Sequence, residues 1–237
     1  MQAFIISDLH LGNRHCRHRE FVRFLEQLPD DAALILNGDT IDYWHQDRLP
    51  KEQQDAFRML VEASHRRPIV WLRGNNDRTY SPPKEGRFEM RSSYEFGRRL
   101  YVAHGNRFES IMPALRPLLN AIRALHHIYA QMSGGARDVA AAAKRIPRVY
   151  SVLTRTVARN AARFARRHGY AAVACGHTHF PEDRIVDGIR YINTGAWTEL
   201  PLLSLHVTET EITCREIAPR DDRAADREDV PAFPAKR

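Results

Sequence analysis

Five continuous apolar runs recur along the chain, at residues 3–6, 34–36, 69–72, 100–103 and 171–174, and each leads directly into a short polar motif. Runs without polar alternation mark strands covered on both faces. Between the first three runs lie segments with apolar residues at helical spacing: Phe21, Phe24, Leu25 and Leu28, then Phe57, Leu60 and Val61. Strand alternating with helix predicts a largely parallel sheet joined by right-handed crossovers. Further on, residues 184–186 and 189–192 flank Asp187-Gly188 and read as a hairpin closed by a tight turn. Residues 202–207 and 211–216 read as a second antiparallel pair, so the sheet is expected to be mixed or doubled.

Residues 111–168 break this rhythm. Pro113 and Pro117 stand where a helix can start, and Leu115, Leu118, Leu119, Ile122, Leu125, Tyr129 and Met132 follow at helical spacing until Ser133-Gly134-Gly135. A second helical stretch from Ala136 is interrupted at Pro147 and continues with Arg155, Arg159 and Arg163 on one face. The segment is expected to form a helical cap inserted in a single domain spanning residues 1–218. Residues 219–237 exchange apolar periodicity for charge, alanine and proline, and are expected to form a flexible tail.

Length and composition fit this picture. A chain of 237 residues, 43% hydrophobic and 27% charged, has enough apolar material for one full core. Its formal net charge of +7 suits an anionic partner, although plain solubility is the ordinary reading of such a balance. Cys16, Cys175 and Cys214 are odd in number and form no CxxC pair, and no signal peptide is apparent, so a reducing cytoplasm is expected. No stretch approaches the roughly 18 apolar residues of a membrane span, which leaves peripheral contact as the form any lipid interaction would take.

The polar motifs carry the chemistry. In order they are Asp8-Leu9-His10, Gly38-Asp39, Gly74-Asn75-Asn76-Asp77, His104-Gly105 and Gly176-His177-Thr178-His179. Placed after strands, they converge at one end of a sheet, where open α/β folds build their sites. Asp, Asn and His hold hard or borderline divalent cations. Two such cations about 3.5 to 4 Å apart can activate a shared water and neutralise a phosphoryl group. Asp39, in the middle of the set, suits a bridging carboxylate; Asp8, His10 and His179 suit a first metal, and Asn75, His104 and His177 a second. Asp77 is expected to orient its neighbours instead of ligating.

These motifs, from Ser7 to Trp197, resemble the calcineurin-like metallophosphoesterases. The resemblance implies a four-layer α/β/β/α sandwich, a two-metal centre commonly filled by manganese, and the ligand assignment given above. Within that family, residues 7–12, Gly38-Asp39-Thr40-Ile41-Asp42-Tyr43-Trp44, residues 190–197 and the helical segment before Gly176 resemble the UDP-2,3-diacylglucosamine diphosphatases of lipid A synthesis. Asn76 stands where many relatives carry His and those diphosphatases carry Arg, while Asn106 and Ala196 stand where relatives often have Asp.

The resulting expectation is a hydrolase that splits the diphosphate of a nucleotide-linked lipid precursor, most simply UDP-2,3-diacylglucosamine to UMP and the lipid monophosphate. Catalysis falls to His10, Asp39, Asn75, Asn76 and Asp77. Asn75, Asn76, His177, Lys144, Arg148, Arg155 and Arg159 are the candidates for holding substrate, arginine being suited to diphosphate. An amide at Asn76 supplies no acid, which favours a phosphate leaving group of second pKa about 6 over an alkoxide. Tyr43 and Trp44 could wall the pocket, and Leu118, Ile122, Leu125 and Tyr129 could take acyl chains, although a core role is the plainer reading of such a stripe. The alternatives are a phosphodiesterase or nuclease, for which no aromatic stacking platform is evident, and a binding scaffold without catalysis. Nucleic acid is therefore not the expected partner, contact with the inner-membrane surface is expected to be peripheral, and the sequence leaves oligomeric state open.

Overall fold

The computed structural model describes residues 2–42, 49–109 and 147–219. Eleven strands and three α-helices are placed among them. A six-stranded sheet contains β1 (Gln2–Ile6), β2 (Ala32–Asn37), β3 (Ile69–Leu72), β4 (Phe88–Arg91), β10 (Leu202–Val207) and β11 (Ile212–Ile217), ordered β11-β10-β1-β2-β3-β4. A five-stranded sheet contains β5 (Tyr94–Phe96), β6 (Leu100–Val102), β7 (Ala172–Cys175), β8 (Glu182–Val186) and β9 (Ile189–Asn193), ordered β5-β6-β7-β9-β8. β1, β2 and β3 are parallel, with Ile5 opposite Ile35 and Ile35 opposite Val70, whereas β10 runs antiparallel to β1. In the second sheet β6, β7 and β9 are parallel.

Side-chain alternation explains the layering. Ala3, Ile5, Ala33, Ile35, Val70 and Leu72 point from the first sheet onto Leu100, Val102, Ala172, Ala174 and Ile192 of the second. Their neighbours Phe4, Ile6, Leu34, Leu36 and Trp71 point the other way, onto α1 (His18–Gln27) and α2 (Lys51–Arg66), which bury Phe21, Phe24, Leu25, Phe57 and Leu60 there. On the outer face of the second sheet, Tyr101, Val173 and Tyr191 meet Val157, Ala158, Ala161, Ala162 and Ala165 of α3 (Pro147–Arg167). Small residues at i and i+4 let that helix lie close to the sheet. The result is the expected four-layer α/β/β/α sandwich.

Two differences from the expectation stand out. Residues 147–168, read as part of the cap, form instead the fourth layer of the sandwich, because the alanine stripe of α3 has a partner in the second sheet. The rest of the expected cap, including Leu118, Ile122, Leu125, Tyr129 and Lys144, lies outside the described residues, as do Tyr43, Trp44 and residues 220–237 of the expected tail. Strands β4 and β5 are additions; both are short and alternate half-buried with exposed positions, so neither shows a continuous apolar run. The hairpin β8–β9 turns through Asp187 and Gly188, both at positive φ (50° and 80°), as a two-residue hairpin turn requires.

Candidate metal centre

The five motifs occupy the loops at the carboxyl ends of β1, β2, β3, β6 and β7, so both sheets feed one rim. Asp8, His10, Asp39, His177 and His179 all have positive φ, between 50° and 64°. Left-handed backbone is unfavourable for residues with a Cβ and persists where the surroundings impose it, as at binding sites. Two glycines make the approach of these loops possible. A Cβ on Gly176 would fall on Ser7 Oγ and Asp8 Oδ2, and one on Gly38, itself at φ 81°, would sit 2.5 Å from His104 Nδ1.

The donors converge in two overlapping sets, Asp8–His10–His179 and Asp8–Asp39–His104, all five residues being buried. Asp8 Oδ1 lies 3.1 Å from His179 Nε2, 3.7 Å from His10 Nε2 and 3.9 Å from His104 Nε2. His10 Nε2 and His179 Nε2 are 3.1 Å apart. His104 Nε2 stands 3.4 Å from Asp39 Oδ2 and 3.3 Å from Asn75 Oδ1. His177 is beside the second set, its ring centroid 5.2 Å from that of His104. All seven expected ligands are thus brought to one rim. Asp8, rather than Asp39, is the carboxylate common to both sets.

Hydrogen bonds outside these sets aim the rings. Asp42 Oδ1 is 2.6 Å from His10 Nδ1 and accepts a hydrogen bond from its N–H, which leaves Nε2 turned to Asp8 and His179. The Asn37 carbonyl, 2.9 Å from His104 Nδ1, can only accept, so Nε2 is again the nitrogen presented inward. Glu109 Oε2 lies 2.7 Å from His177 Nε2 and reserves Nδ1 for any other partner. Asp77, fully buried, accepts from the Gly74 and Thr40 amides and from Trp71 Nε1, tying the β2 and β3 loops together. Asn76 donates its backbone N–H to Asp39 Oδ1 (2.8 Å) and its side-chain amide to Asp42 Oδ1 (2.8 Å). Asp42 and Glu109 were not singled out by sequence. Asp42 lies inside the Gly38–Trp44 motif and could have been; Glu109 meets its partner only through the fold.

Electrostatics agree with a cation site. Burial pushes Asp8 and Asp39 up, but the facing imidazoles outweigh it, holding Asp8 well below the usual carboxylate range and Asp39 at about 2. Burial likewise pushes His10 and His104 down, yet Asp42 raises His10 well above its ordinary value, and Asp39 and Asp8 raise His104 to about 10. Without a cation, the carboxylates are balanced by protons on the rings. Asp8 Oδ1 is buried with no hydrogen-bond partner among the described residues, although three ring nitrogens approach it. A buried carboxylate oxygen ringed by imidazoles is a donor set for a divalent cation, and the residues fit one.

Of the expected substrate-binding residues, Arg155 and Arg159 are exposed on α3 and line a groove of about 500 Å³ with Tyr150, Phe180 and Arg184. A second groove, of about 410 Å³, joins Tyr150 and Phe180 to His179, Ala196 and Leu200. The Tyr150 hydroxyl donates to the Thr178 carbonyl (2.7 Å), fixing α3 to the His177–His179 loop. Arg148 is on the first turn of α3. Asn106 accepts from the Arg107 amide through its Oδ1.

The sequence profile of the Calcineurin-like phosphoesterase family matches residues 1–181. The chain belongs to the calcineurin-like phosphoesterases. This phosphoesterase is 36% identical over 81 residues to a UDP-2,3-diacylglucosamine hydrolase of Stenotrophomonas maltophilia (strain K279a), a stretch that is 32% of this chain and 33% of that protein. The matched part is thus about a third of that relative's length. Among solved structures it resembles a novel archaeal phosphodiesterase (15% identity, 92% of this chain and 99% of that one, TM-score 0.44) and the phosphoesterase Yfce of E. coli (13%, 92% and 100%, TM-score 0.43). Likeness at that level carries nothing about substrate. The family is one of metal-dependent phosphoesterases, and the rim offers the candidate metal-binding groups such chemistry needs.

Proposed function

We propose that this phosphoesterase hydrolyses the diphosphate of a nucleotide-linked, acylated sugar of the UDP-2,3-diacylglucosamine type, releasing UMP and the acylated sugar monophosphate. The observation that carries the reading is the neutral amide of Asn76, held by Asp42 against His10 where relatives place an acid or a cation. A phosphate departs as the anion without a proton donor, so a diphosphate suits this site better than an alkyl ester does. The local match to a protein named for that hydrolase supports the same substrate.

In this reading Asp8, His10, Asp39, Asn75, His104, His177 and His179 would hold two divalent cations, manganese in the first instance, with Asp8 as the carboxylate common to the two donor sets. Bound there, divalent cations supply Lewis-acid charge and an activated water. The chain's own groups do the rest. Asn75 and Asn76 present N–H groups to phosphoryl oxygens at the rim, and Asp77 keeps the β2 and β3 loops in register. Arg155 and Arg159 draw the second phosphoryl group toward α3, where bidentate bonding favours arginine. The net charge of +7 suits attachment to the anionic cytoplasmic face of the membrane, where such a substrate resides. Among the described residues no helix is long and apolar enough to cross a membrane.

The test compares hydrolysis of UDP-2,3-diacylglucosamine with that of a 2′,3′-cyclic nucleotide and of single-stranded DNA by the manganese-supplied protein. The diphosphate is expected to exceed both by about a hundredfold in kcat/KM, a difference of about 2.7 kcal/mol in transition-state stabilisation. The Arg155→Ala/Arg159→Ala double variant should raise KM more than it lowers kcat. Comparable or faster turnover of the cyclic nucleotide or DNA would replace this reading with that of a phosphodiesterase or nuclease.

A further inference from the structure

The first turn of α1 carries a second polar cavity that shares no lining residue with the grooves beside His179. It has a volume of about 260 Å³, several times the roughly 30 Å³ share of one water. Arg14, Arg17, His18, Arg19, Glu20 and Thr198 line it. Three arginines against one glutamate give it a net positive charge, and Glu20 Oε1 already faces Arg17 Nη1 at 3.6 Å. Helix α1 opens at His18, and no side chain caps its first-turn N–H groups. A helix start so left favours an anion.

The independent observation is Thr198. It is only 8% exposed, and its Oγ1 has no hydrogen-bond partner among the described residues while lining the cavity. Buried hydroxyls are rarely left so without a reason. His18 Nε2 is buried and without a partner in the same way, and its Nδ1 lies 3.3 Å from the Cys16 carbonyl. Hydroxyl, guanidinium and backbone N–H groups are all able to donate here. The ligand that completes such a set accepts only, as an oxyanion does.

We propose that this cavity is a second anion site, separate from the metal centre, that takes a phosphoryl group: the terminal phosphate of a soluble phosphomonoester or of a lipid headgroup. It is coupled to the centre through one residue. The Arg17 N–H donates to the Trp197 carbonyl, and the Trp197 N–H donates to the carbonyl of Asp8, both at 2.9 Å. An anion drawn to Arg17 therefore bears on the loop that presents Asp8. The proposal stands independently of the substrate proposed above.

Inorganic phosphate titrated into the magnesium-loaded protein, followed by ¹⁵N amide spectra, tests it. The His18, Arg19 and Glu20 amides are expected to shift saturably. Arg17→Gln should weaken the binding read at those amides about tenfold, and the isosteric Thr198→Val about threefold, as loss of one charge-assisted and one neutral hydrogen bond implies. The His177–His179 amides should respond alike in all three proteins. Thr198→Val keeps the test sound if loss of Arg17 unfolds the chain by stranding Glu20. Co-sedimentation with phosphatidylcholine vesicles containing phosphatidic acid, weakened in both variants, would assign the site to a lipid headgroup; phosphate binding without vesicle retention would assign it to a soluble phosphomonoester. Amides of His18–Glu20 that stay still, or move equally in wild type and both variants, would overturn the proposal.

Discussion

Asp77→Asn is the substitution whose cost follows most directly from the site's construction. Asp77 is fully buried and accepts three hydrogen bonds, from the Gly74 amide (2.7 Å), the Thr40 amide (2.9 Å) and Trp71 Nε1 (2.8 Å). An asparagine keeps one acceptor oxygen. In its better orientation the oxygen serves Thr40 and Trp71, and the new NH2 group faces the Gly74 N–H. One charge-assisted bond is lost, and a buried donor is left unmet, at about 1.5 to 3 kcal/mol; the remaining two bonds become neutral, each weakening by roughly half a kcal/mol or more. Against this, burial and the nearby Asp39 raise the Asp77 pKa, so removing the charge recovers part of its desolvation cost. The balance is a destabilisation of about 2 to 4 kcal/mol, measurable by urea unfolding of the metal-free protein. The same change loosens the loops that carry Asp39 and Asn75, so metal affinity should fall about 10- to 100-fold. A stability change within about 0.5 kcal/mol, with metal affinity intact, would refute this account of Asp77.

Other consequences can be checked alongside. Gly176→Ala places a methyl on Ser7 Oγ and Asp8 Oδ2 and 2.7 Å from Ser7 Cβ, so it should cost about 1 to 3 kcal/mol and displace Asp8; unchanged metal titration would contradict the close approach of these loops. The charge balance gives the metal-free protein two limbs of pH dependence. With His104 raised from 6.5 to about 10, its contribution is complete below pH 6.5 and is lost as pH climbs toward 10; with Asp39 lowered from 3.8 to about 2, its contribution is present above pH 3.8 and is lost as pH falls toward 2. Cations must displace the ring protons, so their affinity should rise with pH between 6.5 and 10 and binding should release protons; calorimetry in buffers of different ionisation enthalpy reads this directly, and pH-independent affinity would contradict it.

Much of the fold was legible because the strands that build it are buried on both faces and therefore lack polar alternation. Residues 3–6, 69–72 and 100–103 announced β1, β3 and β6 to within a residue or two. β4 and β5 escaped because Phe88-Glu89-Met90-Arg91 and Tyr94-Glu95-Phe96 are half-covered and too short for a period to register. The helix over Pro147–Arg167 was legible, but its role was not: arginines at four-residue spacing suggested a free-standing cap, whereas the alanines on the opposite face pack on the second sheet. At the site, residue type and position after strands brought out the seven expected ligands and Asp77. What holds them was harder to see. Asp42 needs only the β2 loop to curl back toward His10, whereas Glu109 reaches His177 across 68 residues of sequence, and the Asn37 group that orients His104 is a backbone carbonyl. Such partners are chosen by tertiary geometry, which no local pattern encodes.

The two overlapping donor sets are most directly tested by counting cations. Metal analysis of the protein equilibrated with manganese, repeated for His179→Ala and His104→Ala, should give two ions per chain in the wild type and about one in each variant, since each substitution removes a ligand from only one set. A wild-type chain that retains no manganese, or variants that retain both ions, would contradict a paired metal centre at the rim where the two sheets meet.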